Sequence, residues 1–189
     1  MGRLNLIAIG AALVALLSGC GAETNIADTG FITITAGTLA PSDPIAAPSG
    51  PVVLSLSGKI GLTNAAGRLD LDMETMERLG LIEFTVNDPY LKRSVTYQGV
   101  LLKRLLDIAH VAQDATTLHT VALNDYATDV PIAPLSAWPV MLATKRDGQR
   151  MPVSDKGPIE IVFPYNSFQI DPTVYDPMWV WQLRSIEVR

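Results

Sequence analysis

Cysteine is almost missing from this sequence: 189 residues contain one, Cys20. A lone thiol excludes an internal disulfide framework, a cysteine-rich zinc site and a cysteine-held iron–sulfur cluster. Two histidines leave little for a His-based metal site, and we expect no protein-held metal. Basic residues are also few, 14 against 19 acidic, for a net charge of −5. That balance argues against a nucleic-acid binder, which needs Lys and Arg to neutralise phosphates. There is no glycine-rich phosphate loop and no G-x-S-x-G elbow, so neither nucleotide cradling nor Ser-His-Asp catalysis has a motif to rest on. What is present suits a folded core. Hydrophobic residues make up 48% and charged residues 17%, which excludes wholesale disorder. The length fits one domain, or one domain with a tail.

The first twenty residues carry an address. Arg3 is followed by an apolar run, Leu4 to Leu17, interrupted by Asn5 and Gly10. The run is too short to cross a hydrocarbon core of about 30 Å comfortably, but it suits a signal sequence. It ends in Leu17-Ser18-Gly19-Cys20, which resembles a bacterial lipobox. The resemblance implies cleavage after residue 19, a lipid on Cys20 and attachment to an envelope membrane. Gly21 after the cysteine, rather than Asp, favours the outer membrane under enteric-type sorting. We therefore expect residues 1–19 to be a signal peptide and the protein to be anchored, facing the periplasm. An ordinary signal peptide with a chance cysteine is the plainer alternative.

Residues 20–51 read as a tether. Pro41, Pro44, Pro48 and Pro51 recur among Ser, Ala and Gly, a spacing that resists helix and ladder pairing. Phe31 to Thr35 reads as a short strand or a sticky patch. The folded domain is expected over 52–189, as mixed α and β with strands outnumbering helices. Val52–Gly58, Leu81–Val86, Leu118–Leu123, Ala127–Ile132, Val140–Lys145, Arg150–Val153, Ile159–Phe163 and Val180–Val188 read as strands. Asp72 caps a short helix to Leu79. Gly99–Val111 is the strongest helix, with Leu101, Leu102, Leu105, Leu106 and Ala109 on one face. Asp147-Gly148 signals a hairpin. Regular β-α alternation is absent, which disfavours a doubly wound nucleotide fold.

Four ordered blocks carry a family resemblance. They are Tyr97 to Leu106, Ala122 to Pro131, Leu142 through Pro152 to Pro164, and Val180 to Val188. Together they resemble the molybdopterin-binding oxidoreductase domain of the sulfite oxidase family, in a small bacterial version. The resemblance implies a β-rich α+β domain with a ligand cleft at one end, and makes molybdopterin a possible cofactor. In catalytic members a cysteine thiolate holds molybdenum on a loop after the strand matching Leu81–Val86. Here that stretch reads Phe84-Thr85-Val86-Asn87-Asp88-Pro89-Tyr90, without a cysteine and with a shortened loop.

The candidate ligand-binding residues are Asn124, Asp125, Tyr126, Arg146, Lys156 and Trp181. The first three bring an amide, a carboxylate and a phenol to one turn, able to fix a polar ligand or merely to shape the turn. Lys145, Arg146, Arg150 and Lys156 form a local basic run that suits an anion, although a solvated hairpin is the commoner meaning. Trp179 and Trp181 flank Val180, so in a strand both face one side, to stack on a heterocycle or to pack the core. Three readings follow. The first is an envelope lipoprotein binding a small anionic or heterocyclic ligand in a sensory or accessory role. The second is a molybdopterin oxidoreductase with non-cysteine metal ligation. The third is a structural or partner-binding envelope domain with a vestigial cleft.

Overall fold

A computed structural model describes residues 29–189. The expected signal peptide at 1–19 and the expected lipid attachment at Cys20 lie outside the described residues. Eleven strands among the described residues form two sheets. The first contains β1 (Ile32–Thr35), β4 (Leu81–Asp88), β5 (Arg93–Leu101), β8 (Met141–Arg146) and β10 (Glu160–Val162), hydrogen-bonded in that order, with β9 (Gln149–Arg150) paired to β8. The second runs β3 (Arg68–Leu71), β2 (Leu54–Gly58), β11 (Leu183–Val188), β6 (Thr117–Ala122) and β7 (Ala127–Pro131). Pairing is antiparallel except for β2 beside β11. The fold is therefore β-rich α+β, and the doubly wound alternative is absent.

Alternation builds the second sheet. Leu54 and Leu56 face inward on β2, opposite Leu71 and Leu69 of β3, and all four are fully buried. Val86 and Tyr97 of the first sheet belong to the same contiguous core. Asp72 does cap the first helix, α1 (Met73–Glu77), by accepting the Thr75 N–H at 2.9 Å. The second helix, α2 (Leu102–Ile108), buries Leu102, Leu105, Leu106 and Ile108. It is shorter than the expected Gly99–Val111 because Gly99 to Leu101 finish β5. The Asp147-Gly148 hairpin has both residues at positive φ, 49° and 76°, the geometry that matches strand twist.

The N-terminal boundary differs from expectation. β1 pairs with β4, Leu39 is 3% exposed and Ile45 is 8% exposed. Arg104 donates to the Leu39 carbonyl, and the His110 ring lies 2.5 Å from the Pro41 carbonyl. The packed unit thus reaches back past Pro51 to β1. The prolines shape an extended segment that lies on the domain rather than a spacer leading to it.

Candidate functional site

Two hairpins and one connection converge at one end of the sheets. The β4–β5 turn supplies Tyr90, the β6–β7 turn supplies Asn124 and Tyr126, and the stretch before β11 supplies Asp176, Pro177, Trp179 and Trp181. They line a cleft of about 260 Å³. Aromatics are only 6% of the chain, yet four line this one cleft.

Each wall has a local cause. Asp88, 2% exposed, ends β4 and accepts the Tyr90 and Leu91 N–H groups at 2.7 Å each. Its second oxygen accepts the Tyr97 hydroxyl at 2.6 Å. This carboxylate closes the turn that projects Tyr90. The Tyr90 hydroxyl then donates to the Asp176 carbonyl at 2.6 Å, and the Tyr126 hydroxyl to the Pro177 carbonyl at 2.7 Å. Two phenols from different sheets thus clamp the Asp176–Met178 turn. Asn124 accepts the Tyr126 N–H at 3.1 Å, so it shapes its turn and also faces the cleft.

The tryptophans sit on a ledge between the sheets. Ile161 donates its N–H to the Val180 carbonyl, and Leu123 donates to Gln182. Trp179 is edge-on to Tyr90 and Tyr97, at 6.3 and 6.1 Å between centroids. Trp181 is edge-on to Tyr90 at 4.8 Å. The expected strand Val180–Val188 begins only at Leu183, because Gln182 has φ 52°. The two rings nevertheless line the same cleft, held by the ledge rather than by strand alternation.

Lys156 is the cation of the site. Its Nζ stands 3.8 Å from the Trp181 ring centroid and 5.5 Å from that of Tyr90, within cation–π range. Among the described residues no carboxylate lies within 4 Å of it. Lys156 has φ 67°, and Gly157 behind it is pressed against the Met151 carbonyl so closely that a Cβ has no room there. That contact fixes the backbone from which Lys156 projects.

Below the cleft lies a buried ionisable cluster that sequence reading missed. Glu160 is fully buried. Its Oε2 accepts the Trp179 Nε1–H at 3.3 Å, with the Tyr97 hydroxyl at 3.4 Å. Its Oε1 has no hydrogen-bond partner, nor has Arg146 Nη1, 3.8 Å away. Burial pushes the Glu160 carboxyl up to about 7. Trp179, Lys156 and Arg146 oppose that rise, and Asp88 adds to it. Burial, then Glu160 and Asp88, also drives the Tyr97 phenol far above its ordinary range.

The sequence candidates separate accordingly. Asn124, Tyr126 and Trp181 line the cleft, and Lys156 lies over one of its rings. Asp125 does not: its side chain is 80% exposed and pairs with Arg184 at 2.8 Å. The strained φ of 65° at Asp125 turns it outward. Arg146 does not line the cleft, and although it ends β8 at the exposed Asp147-Gly148 hairpin its side chain turns inward. It is 12% exposed and pairs with Asp155, with its other nitrogen toward Glu160. Lys145 and Arg150 meet Glu77 instead. Trp179, weighed beside Trp181 for stacking or core packing, also lines the cleft, and Tyr90 and Asp176 join the site without having been singled out for it. A glutamate inside the apolar run Ile159 to Phe163 was the legible sign of the buried cluster.

A family model described as "Oxidoreductase molybdopterin binding domain" matches residues 73–170, just over half of the chain. No curated protein matches the chain significantly. Among solved structures, the sulfane dehydrogenase SoxCD from Paracoccus pantotrophus is similar, with a TM-score of 0.55 and 18% identity. The similarity covers 81% of this chain and 40% of that one, so this chain spans well under half of that protein. At that identity the likeness establishes the fold. The family match and the two-sheet architecture agree that this chain belongs to the oxidoreductase molybdopterin-binding domain family.

Proposed function

We propose that this domain binds a small flat ligand, anionic or heterocyclic, in the aromatic cleft, and serves a sensory or accessory role on a lipid-anchored envelope protein. The observation behind this reading is the pairing of four aromatic side chains with one ammonium over a ring. Flat π-systems stack on such walls, and a carboxylate or phosphate on the ligand has Lys156 to meet. The two phenolic clamps hold the walls in place before the ligand arrives, which lowers the ordering cost of binding.

The residues present do not fit a molybdenum held by a protein thiolate. The turn where the resemblance locates that thiolate carries Asp88 and Tyr90. Asp88 spends both oxygens on the turn and on Tyr97. Among the described residues there is no cysteine, and no cluster of three His, Asp or Glu side chains arranged to hold a metal. A large phosphate-bearing cofactor needs several cations, and here Arg146, Arg150 and Arg184 are each paired with a carboxylate. These donors favour ligand binding over redox catalysis.

Calorimetric titration with naphthoate, a flat aromatic monoanion, tests the reading. Trp181→Ala should weaken binding about tenfold, the scale of one lost stacking partner. Lys156→Met should weaken naphthoate but leave the neutral naphthalenemethanol unchanged. Equal naphthoate affinity in wild type and Trp181→Ala would refute the cleft as the site.

A further inference from the structure

Two features of the cleft lead to the same buried side chain. The Trp179 wall donates its indole N–H to Glu160 Oε2. On the other side, Arg146 directs one guanidinium nitrogen toward Glu160 Oε1 and gives another to Asp155, the residue before Lys156. Glu160 Oε1 and Arg146 Nη1 are both sealed from water and both unpartnered, 3.8 Å apart. The structure holds Arg146 with Asp155 and leaves the facing Glu160 oxygen without a donor.

We propose that the protonation state of Glu160 sets the affinity of the cleft for anions, so that ligand binding and proton binding are linked. The proposal rests on the reading that the cleft holds an aromatic anion. The charges around Glu160 come from every element packed on it. Arg146 lies on β8, Asp88 ends β4, Tyr97 lies on β5, and Lys156 and Trp179 come from the flanking segments. Lys156 is shared: it faces the ligand site and also stabilises ionised Glu160. An anion in the cleft competes for Lys156 and adds a second negative charge. Binding an anion therefore favours neutral Glu160, and by reciprocity neutral Glu160 favours the anion. The burial that raises this carboxyl toward neutrality puts the transition in an accessible pH range. Affinity should fall as pH rises, the opposite of a site governed by ligand ionisation alone.

Two measurements on the anchored full-length chain in detergent test this. The indole N–H resonance of Trp179 reports on Glu160 without any ligand. In wild type it should move through a single titration near neutral pH, while Trp138 stays still, and in Glu160→Gln the movement should vanish. Naphthoate should bind wild type about tenfold more tightly at pH 6 than at pH 8, the size expected of one buried charge facing another across a few side chains. Glu160→Gln, uncharged at both values, should bind at the tighter level throughout. A motionless Trp179 resonance in wild type overturns the proposal even if the variant fails to fold. Naphthoate binding indifferent to pH overturns the linkage but leaves the cleft standing. No binding at either pH refutes the ligand reading, and the linkage with it.

Discussion

Replacing Asp88 tests whether one carboxylate builds the cleft. Its three hydrogen bonds run to the Tyr90 N–H, the Leu91 N–H and the Tyr97 hydroxyl, at 2.6–2.7 Å. Hydrogen bonds to a charged group contribute about 1.5–3 kcal/mol each, but they are not additive here. The Asp88 charge is itself buried near Glu160, which offsets part of the gain. In Asp88→Ala the two turn N–H groups regain water, since Tyr90 is 39% exposed. The Tyr97 hydroxyl is fully buried, cannot regain water, and keeps only its longer contact to Glu160 Oε2 at 3.4 Å. We expect a loss of about 3 kcal/mol. Asp88→Asn keeps the shape. Its carbonyl accepts both turn N–H groups and its amide donates to the Tyr97 oxygen, which frees the Tyr97 proton for Glu160. That variant should lose about 1 kcal/mol. Urea unfolding at pH 7 checks both, provided the m-values match wild type. The alanine variant should also bind naphthoate weakly, because Tyr90 loses its placement. An alanine variant within about 0.5 kcal/mol of wild type, or an asparagine variant worse than alanine, would refute the reasoning.

The remaining predictions concern the two ends of the N-terminal segment. Asp72 holds that segment to α1: besides Thr75 it accepts the Ser49 and Gly50 N–H groups at 3.1 and 3.0 Å. The Thr75 N–H and hydroxyl, then Gly50 and Ser49, hold its carboxyl down at about 2 against an ordinary 3.8. A depressed carboxyl stabilises the fold above its ordinary value and loses that contribution as pH falls toward 2, so Asp72→Ala should cost about 2 kcal/mol at pH 7 and progressively less below pH 4. Urea midpoints across that range check it, and a deficit constant with pH would sink it. Cys20→Ser should move the protein from the membrane fraction to the soluble envelope fraction; a variant that still sediments with membranes refutes lipid anchoring at Cys20.

Much of the architecture was legible because several strands bury one face. Leu54 and Leu56 alternate with Ser55 and Ser57, and Leu118 lies between Thr117 and His119, and that period survives without tertiary information. β5 escaped for a physical reason. Its pairing with β8 shifts register between Gln98 and Gly99, and Gly99 lies against the Leu142 carbonyl, where a side chain has no space. The bulge breaks the period of two just where leucines at helical spacing begin, so the strand's end read as helix. Phe31 to Thr35 was open to reading as a strand, but that its segment packs on the domain escaped because prolines dominate the stretch behind it, while Leu39 and Ile45 are too far apart to show a period. In the site, turn chemistry marked Asn124 and Tyr126, and residue type marked Trp181 and Lys156. Asp125 has the same chemistry as its neighbours, and only its φ decides that it faces away.

The deepest part of the site was invisible for a different reason. Glu160 and Asp88 lie 72 positions apart in sequence and meet through Tyr97, which no local pattern predicts. Their arrangement is tied to the β4–β5 turn. Here the turn from Asp88 to Arg93 is closed on itself by the Lys92 N–H to Asp88 carbonyl bond and by the Asp88 side chain. Such a closed turn projects an aromatic ring. Tyr90 then reaches across to the Asp176 carbonyl, and that bond requires the opposite wall to come close. The closed turn and the close approach of the opposite wall are thus one arrangement, which sets the Tyr90 ring against the Asp176 turn at this end of the sheets. Beneath that wall Asp88 is satisfied by the turn and by Tyr97, while Glu160 lies between Trp179 and Arg146 with one oxygen unpartnered.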